Sequence, residues 1–167
     1  MSHRRSLVLS SDALNTSGRS GVSNLENSYD VMRNAVGAVR VRRDVLRVHG
    51  PDAVTYLQGQ LSQDVAAMAV GATSWSFILQ PHGKVDAFVR LVRLADDVFS
   101  LDTDTGFGSA VKERLERFKL RTKVDIDPLE GWRGIGLRGP DAAGMAGGGG
   151  VWVGGAGWVG FGGVALV

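Results

Sequence analysis

Hydrophobic and polar positions organise this chain into three stretches. From residue 1 to about 35 no apolar period is sustained, and serine, asparagine, glycine and arginine recur. Such a stretch buries too little surface to offset the entropy of ordering, so residues 1–35 are expected to be a disordered leader. From 36 to 141 the pattern changes. Val39 and Val41 alternate with Arg40 and Arg42, the period of a strand, and Val45, Leu46 and Val48 form a second extended run. That run ends in His49-Gly50-Pro51-Asp52. Gly50 suits an N-cap, Pro51 a first helical turn, and Asp52 the positive end of a helix dipole. A helix should follow, with Val54, Leu57, Leu61 and Val65 on one face. Gly59 within it costs about 1 kcal/mol against alanine, which suggests a close approach there.

Trp75 to Leu79 and Val85 to Leu94 read as strands joined by Gln80-Pro81-His82-Gly83-Lys84, and Val98 to Leu101 as the second arm of a hairpin turned by Ala95-Asp96-Asp97. A second helix is expected from Phe107 to Phe118, burying Val111, Leu115 and Phe118 and pairing Glu113 with Arg117. Val124 to Ile126 closes as a strand. The order of elements predicts an α+β domain with an antiparallel sheet and two helices. An internal echo accompanies it: Leu46 to Ala53 and Ile135 to Ala142 are both extended runs ending in Gly-Pro-Asp-Ala. The second copy opens a unit that the residues after it do not continue.

Beyond Asp141 no charged residue occurs, and glycine dominates residues 144–167. That composition packs and orders poorly, and it is a poor helix former for a membrane span. Residues 142–167 are therefore expected to be a Gly-rich tail, a genuine low-complexity segment or the product of a shifted reading frame from about codon 142. If the tail is exposed, Trp152, Trp158 and Phe161 become possible anchors of a non-catalytic interaction module.

Composition narrows the chemistry. The net charge of +2 gives no reason to invoke a nucleic-acid partner. Cysteine is absent, which removes thiolate catalysis and cysteine-ligated clusters from this stretch and fits a cytoplasmic protein. His3, His49 and His82 show no ligand spacing, so no metal site is expected. Gln60 and Asp64, four apart, would share a helix face with Gln63 beside them; amides and a carboxylate there could hydrogen-bond a ligand edge of alternating donors and acceptors, or they close the helix in solvent. Gln80 and Lys84 frame the turn at Gly83, where Lys84 offers a point charge to a carboxylate or is ordinary turn chemistry. Asp102 and Asp104 would point the same way from a strand, as paired acids or as caps of the next helix. The basic run Lys112, Arg114, Arg117, Lys119, Arg121 and Lys123 reads as a solvated helix face or a phosphate contact.

Four segments carry a resemblance: Val48 to Ala53, Leu57-Gln58-Gly59-Gln60-Leu61-Ser62-Gln63-Asp64-Val65, Leu79-Gln80-Pro81-His82-Gly83-Lys84-Val85, and Phe118-Lys119-Leu120-Arg121-Thr122-Lys123-Val124. From Val39 to Asp141 the chain resembles the N-terminal part of YgfZ-type folate-binding proteins of the aminomethyltransferase-like superfamily, relatives of the glycine-cleavage T-protein. The resemblance implies three subdomains around a tetrahydrofolate site in the intact protein, folate as partner, and a role with iron–sulfur client proteins. It also implies a Lys-Gly-Cys-Tyr/Phe-x-Gly-Gln-Glu segment that this chain lacks. It implies ligand contact for Gln60, Gln63 and Asp64; Gln80, Lys84, Asp102 and Asp104 stand beside them as candidate ligand contacts by their placement. The aminomethyltransferase branch places paired acids in a Gly-Gly-Ile-x-Asp-Asp pattern. Aligned on Gly83, those positions fall on Ala87 and Phe88, with Asp86 one residue early. In a regular strand that slip turns the carboxylate to the opposite face, which argues against methylene-transfer catalysis. No catalytic residue is assigned.

Overall fold

The computed structural model describes residues 20–132, 134–142, 151–155 and 162–166. It contains the helices α1 (Ser20–Asn34), α2 (Ala53–Gln60) and α3 (Gly108–Arg117). The strands are β1 (Gly37–Val41), β2 (Arg43–His49), β3 (Thr73–Leu79), β4 (Val85–Ala95), β5 (Val98–Asp104), β6 (Asp125–Pro128), β7 (Gly134–Arg138), β8 (Val151–Gly155) and β9 (Gly162–Leu166). The α+β class with antiparallel sheets is as the periodicity implies, but among the described residues the helices number three, not two. Contacts divide the chain into one unit of Arg42–Trp132 and another of Met1–Val41 with Arg133–Val167.

The unit Arg42–Trp132 is built on a five-stranded antiparallel sheet ordered β3-β4-β5-β2-β6. Alternation along the strands sends Leu46, Val48, Ile78, Val89, Leu91, Phe99, Leu101 and Ile126 to one face. Ala53, Tyr56 and Leu57 of α2 and Val111 and Leu115 of α3 cover that face. Both helices thus pack on the same side, and this is the main core. Tyr56 is buried there with its hydroxyl donating to the Leu115 carbonyl at 2.6 Å. Burial, reinforced by Glu116 and opposed by Arg114, pushes its phenol up to about 12.

α2 is shorter than the apolar spacing suggests. It ends at Gln60, and Leu61 turns extended to bridge Ile78 of β3. Leu61 and Val65 are still buried, but from the loop after the helix. Asp52 is the N-cap by position but not by its side chain, which instead accepts the Lys123 amide at 2.7 Å. Beyond its own helical backbone, nothing among the described residues lies within 4 Å of the place a Gly59 Cβ would take, so the close approach expected at that glycine is not seen.

The other unit has a four-stranded sheet ordered β1-β7-β9-β8. Two expectations fail here. Residues 20–34, assigned to a disordered leader, form α1, and residues 151–155 and 162–166, assigned to the tail, form strands, with β9 pairing β7. The single window 36–141 also gives way, because β1 and β7 pair with each other in this unit. Residues 1–19 of the leader, and Trp158 and Phe161 of the tail, lie outside the described residues.

The internal echo is structural. Gly50 and Gly139 hold φ of +130° and +123°. Each sends its carbonyl to an alanine amide three residues on, Ala53 at 2.9 Å and Ala142 at 3.1 Å. A Cβ on either glycine would sit 2.4 Å from the Lys123 carbonyl oxygen or 2.3 Å from that of Ala35. Lys123 precedes β6 and Ala35 precedes β1, so the same strand–turn device is used once in each unit.

Candidate functional site

The β3–β4 turn explains the site. Gln80 to Gly83 is closed by the Gly83 amide donating to the Gln80 carbonyl at 2.8 Å, and Gly83 takes φ of +80°, which glycine adopts without steric cost. The ladder resumes out of register: Ile78 faces Ala87, yet Leu79 faces Val85. Asp86 is therefore the extra residue of a β-bulge. A bulge re-aims the side chain it carries. Simple alternation would put Asp86 opposite the core-facing Ala87. Instead its carboxylate meets α3, accepting from Arg114 Nε at 2.7 Å and from Gln80 Nε2 at 2.6 Å. The premise that a one-residue slip turns this acid away from the helical face is thus corrected by the bulge.

Arg114 organises the cluster. Its Nη1 donates to Gln60 Oε1 at 3.1 Å and its Nη2 to the Leu79 carbonyl at 2.7 Å, while its guanidinium lies 3.9 Å from the Phe118 ring centroid. The hydrogen bond from Gln80 first, and that from Arg114 second, hold the Asp86 carboxyl below its ordinary range. Around these groups lies a pocket of about 400 Å³, lined by Gln80, Asp86, Phe107, Arg114 and Phe118 among others. Phe107 is exposed at its edge. The pocket thus pairs aromatic walls with a fixed carboxylate and an amide, a donor–acceptor set suited to a flat, polar-edged ring.

The seven residues singled out from the sequence separate into four places. Gln60 and Gln80 meet through Arg114 and Asp86. Gln63 and Asp64 do not share a face with Gln60, because α2 has already ended. They hold the loop after it: Gln63 Oε1 accepts from the Ser74 hydroxyl at 2.6 Å, the Gln63 amide donates to Ser76 Oγ at 3.1 Å, and Asp64 Oδ1 accepts from the Ala67 amide at 3.2 Å. Lys84 is exposed at the turn.

Asp102 and Asp104 lie on the face of the sheet away from the helices, and both bind Arg43. Asp102 is buried and also takes a two-pronged contact from Arg90 at 2.7 and 2.8 Å. The two acids share an arginine rather than a proton, and neither caps α3. That task falls to Asp44, whose Oδ2 accepts from the amides of Gly106 and Gly108 at 2.8 and 2.9 Å. Of the basic run, Arg114 turns into the pocket, Arg117 pairs with Glu113 at 3.4 Å, and Lys119 lies 3.6 Å from Glu116 and 3.7 Å from Asp125. Asp86 and Arg114 are the site residues that spacing alone undervalues. No sequence signal exposes the first, because the register break that re-aims it leaves the apolar pattern of the strand intact. Among the described residues no cluster of three potential metal ligands exists, and no helix is long and apolar enough to cross a membrane.

The antiparallel α+β architecture of this chain matches the N-terminal domain of the aminomethyltransferase fold. Comparison with known proteins supports this. The model of the GCVT N-terminal domain family matches residues 19–147, and the chain belongs to that family. It is 35% identical over 95 residues to an uncharacterized protein of Haemophilus influenzae, covering 57% of this chain and 34% of the other. It is 32% identical over 80 residues to an aminomethyltransferase of Lysinibacillus sphaericus, covering 47% of this chain and 22% of that enzyme. Among solved structures, the glycine cleavage system aminomethyltransferase T of Bartonella henselae superposes with a TM-score of 0.65 at 26% identity, over 72% of this chain and 34% of that one. The chain therefore spans about a third or less of the length of these relatives.

Proposed function

We propose that this chain is the folate-contacting N-terminal part of a YgfZ-type protein, one that binds tetrahydrofolate in support of iron–sulfur protein assembly or maintenance and does not transfer a methylene group. The pocket on the helical face takes the pterin edge, with Asp86 and Gln80 as polar contacts and Phe107 and Phe118 as apolar walls. The observation that carries this reading is the bonding of Asp86. A carboxylate already held by Gln80 and Arg114, and pulled below its ordinary range by them, suits fixed hydrogen bonding. It is poorly placed to gain and lose a proton near neutral pH, where a general acid or base must work. The positions that carry paired acids in the transferase pattern are Ala87 and Phe88 here.

Most of the ligand's burial would come from the parts of the relatives this chain does not span, so its own affinity is expected to be weak. In cells, deletion of the gene should lower the activity of iron–sulfur enzymes and leave glycine cleavage unchanged. Loss of glycine cleavage with iron–sulfur enzymes intact would favour the aminomethyltransferase reading instead.

A further inference from the structure

The sheet of the unit Arg42–Trp132 has a second face, turned away from α2 and α3, and it carries charge where a core would carry none. Register places Arg90 of β4 opposite Asp102 of β5, Trp75 of β3 opposite Arg90, and Arg43 of β2 opposite Asp104. Ser100 lies opposite Val92 and is a diagonal neighbour of Arg90 on the same face. Arg90, Ser100 and Asp102 are each 1% exposed. Arg43 reaches Asp102 Oδ2 at 2.7 Å and also binds Asp104, whose side chain is exposed.

The charges do not balance. Two guanidinium groups converge on one buried carboxylate, which leaves one formal positive charge beside it; Asp104 compensates only from solvent, where screening weakens it. The Trp75 indole offers its face to both, 5.3 Å from Arg90 and 6.0 Å from Arg43. That leaves the in-plane donors to be satisfied. Arg90 Nε and Nη2 are spent on Asp102, but among the described residues Nη1 is buried without a partner, and so is the Ser100 hydroxyl. A buried charged donor left unmade is costly, and two orphaned groups at diagonal positions on one sheet face call for a partner.

We propose that this face holds an oxyanion site: a single carboxylate or phosphate group that accepts from Arg90 Nη1 and from Ser100 Oγ. A monoanion offsets the positive charge that Asp102, the one buried carboxylate here, leaves uncompensated, and supplies two acceptor oxygens in the plane that Arg90 presents. The site is separate from the Asp86 pocket and stands whether or not that pocket takes folate.

The test uses the whole chain with arginine side chains labelled with ¹⁵N. Sodium phosphate and sodium acetate are titrated separately against sodium chloride at matched ionic strength, and side-chain Nε–H resonances and the Tm are followed. Arg90, assigned through Arg90→Lys or directly through its contacts to Asp102, should shift saturably with at least one anion, and the Tm should rise with the same anion. A response to phosphate alone would indicate a phosphate-bearing ligand, a response to acetate a carboxylate. Ser100→Ala, a small change that keeps the fold, should weaken the apparent Kd about fivefold, the loss of one hydrogen bond. Absence of any saturable Arg90 shift beyond the chloride control overturns the proposal. So does an anion response of equal strength in Ser100→Ala with Arg90 unmoved.

Discussion

At the scale of single residues, the two glycines of the first helix region separate what the backbone requires from what it tolerates. Gly50 sits at φ +130° with the Lys123 carbonyl where a Cβ would go. Gly50→Ala should therefore cost at least about 2 kcal/mol in urea unfolding, through backbone strain and the clash together. Gly59 has open space and helical neighbours. Gly59→Ala should raise stability by about 0.5–1 kcal/mol, and a loss there would mean that something not seen in the structure occupies the space. Two titrations follow the same logic. Tyr56 holds its proton more tightly folded than unfolded, so the native state binds more protons between pH 10 and about 12. Stability should fall across that window, and Tyr56→Phe should remove that part of the slope. Asp86 is the opposite case: its folded value is depressed from 3.8. Its contribution is present above that value and lost as pH falls below it, and a thermal series in acid on Asp86→Asn should show a flatter decline than wild type.

At the scale of elements, what was legible in the sequence was what period alone decides. The strands from Val39 to Ile126, the hairpin at Asp96 and Asp97, and helix α3 with its Glu113–Arg117 pair all follow from alternation and spacing. Apolar spacing overstates the length of α2, because Leu61 and Val65 are buried by a returning loop as effectively as by another helical turn. That error alone dissolved the supposed Gln60–Asp64 face. The bulge at Asp86 was invisible because one extra residue in a strand leaves the apolar pattern of Ala87, Val89 and Leu91 intact. α1 was missed because Ser20–Asn34 is mostly polar, with exposed side chains at residues 26–30 and little apolar face to announce it. The tie between α3 and the β3–β4 turn is checkable by itself. Arg114→Met removes the bonds to Asp86, Gln60 and Leu79 while keeping the stem over Phe118, and should cost about 1–3 kcal/mol by denaturant unfolding. A change within a few tenths would mean that the cluster is not preorganised.

At the scale of the whole molecule, the chain is two units that each use a glycine-gated strand turn, and the unit Arg42–Trp132 holds both the main core and the candidate pocket. The family was readable from the run at Leu57 to Val65 and the turn at Gly83, since those residues set the end of α2 and the entry to β4. The site was readable only in part, because side chains far apart in sequence are brought together by Arg114, whose place in a basic run resembled a solvated face. The central claim is that the Asp86 pocket contacts tetrahydrofolate. It is tested most directly by titrating tetrahydrofolate into the ¹⁵N-labelled chain and following backbone amides, in wild type and in Asp86→Ala. The account predicts weak, saturable shifts, with a Kd above about 10 µM, centred on Gln80, Asp86, Phe107 and Arg114 and lost in the variant. Shifts absent from those residues, or binding unchanged in Asp86→Ala, would contradict it.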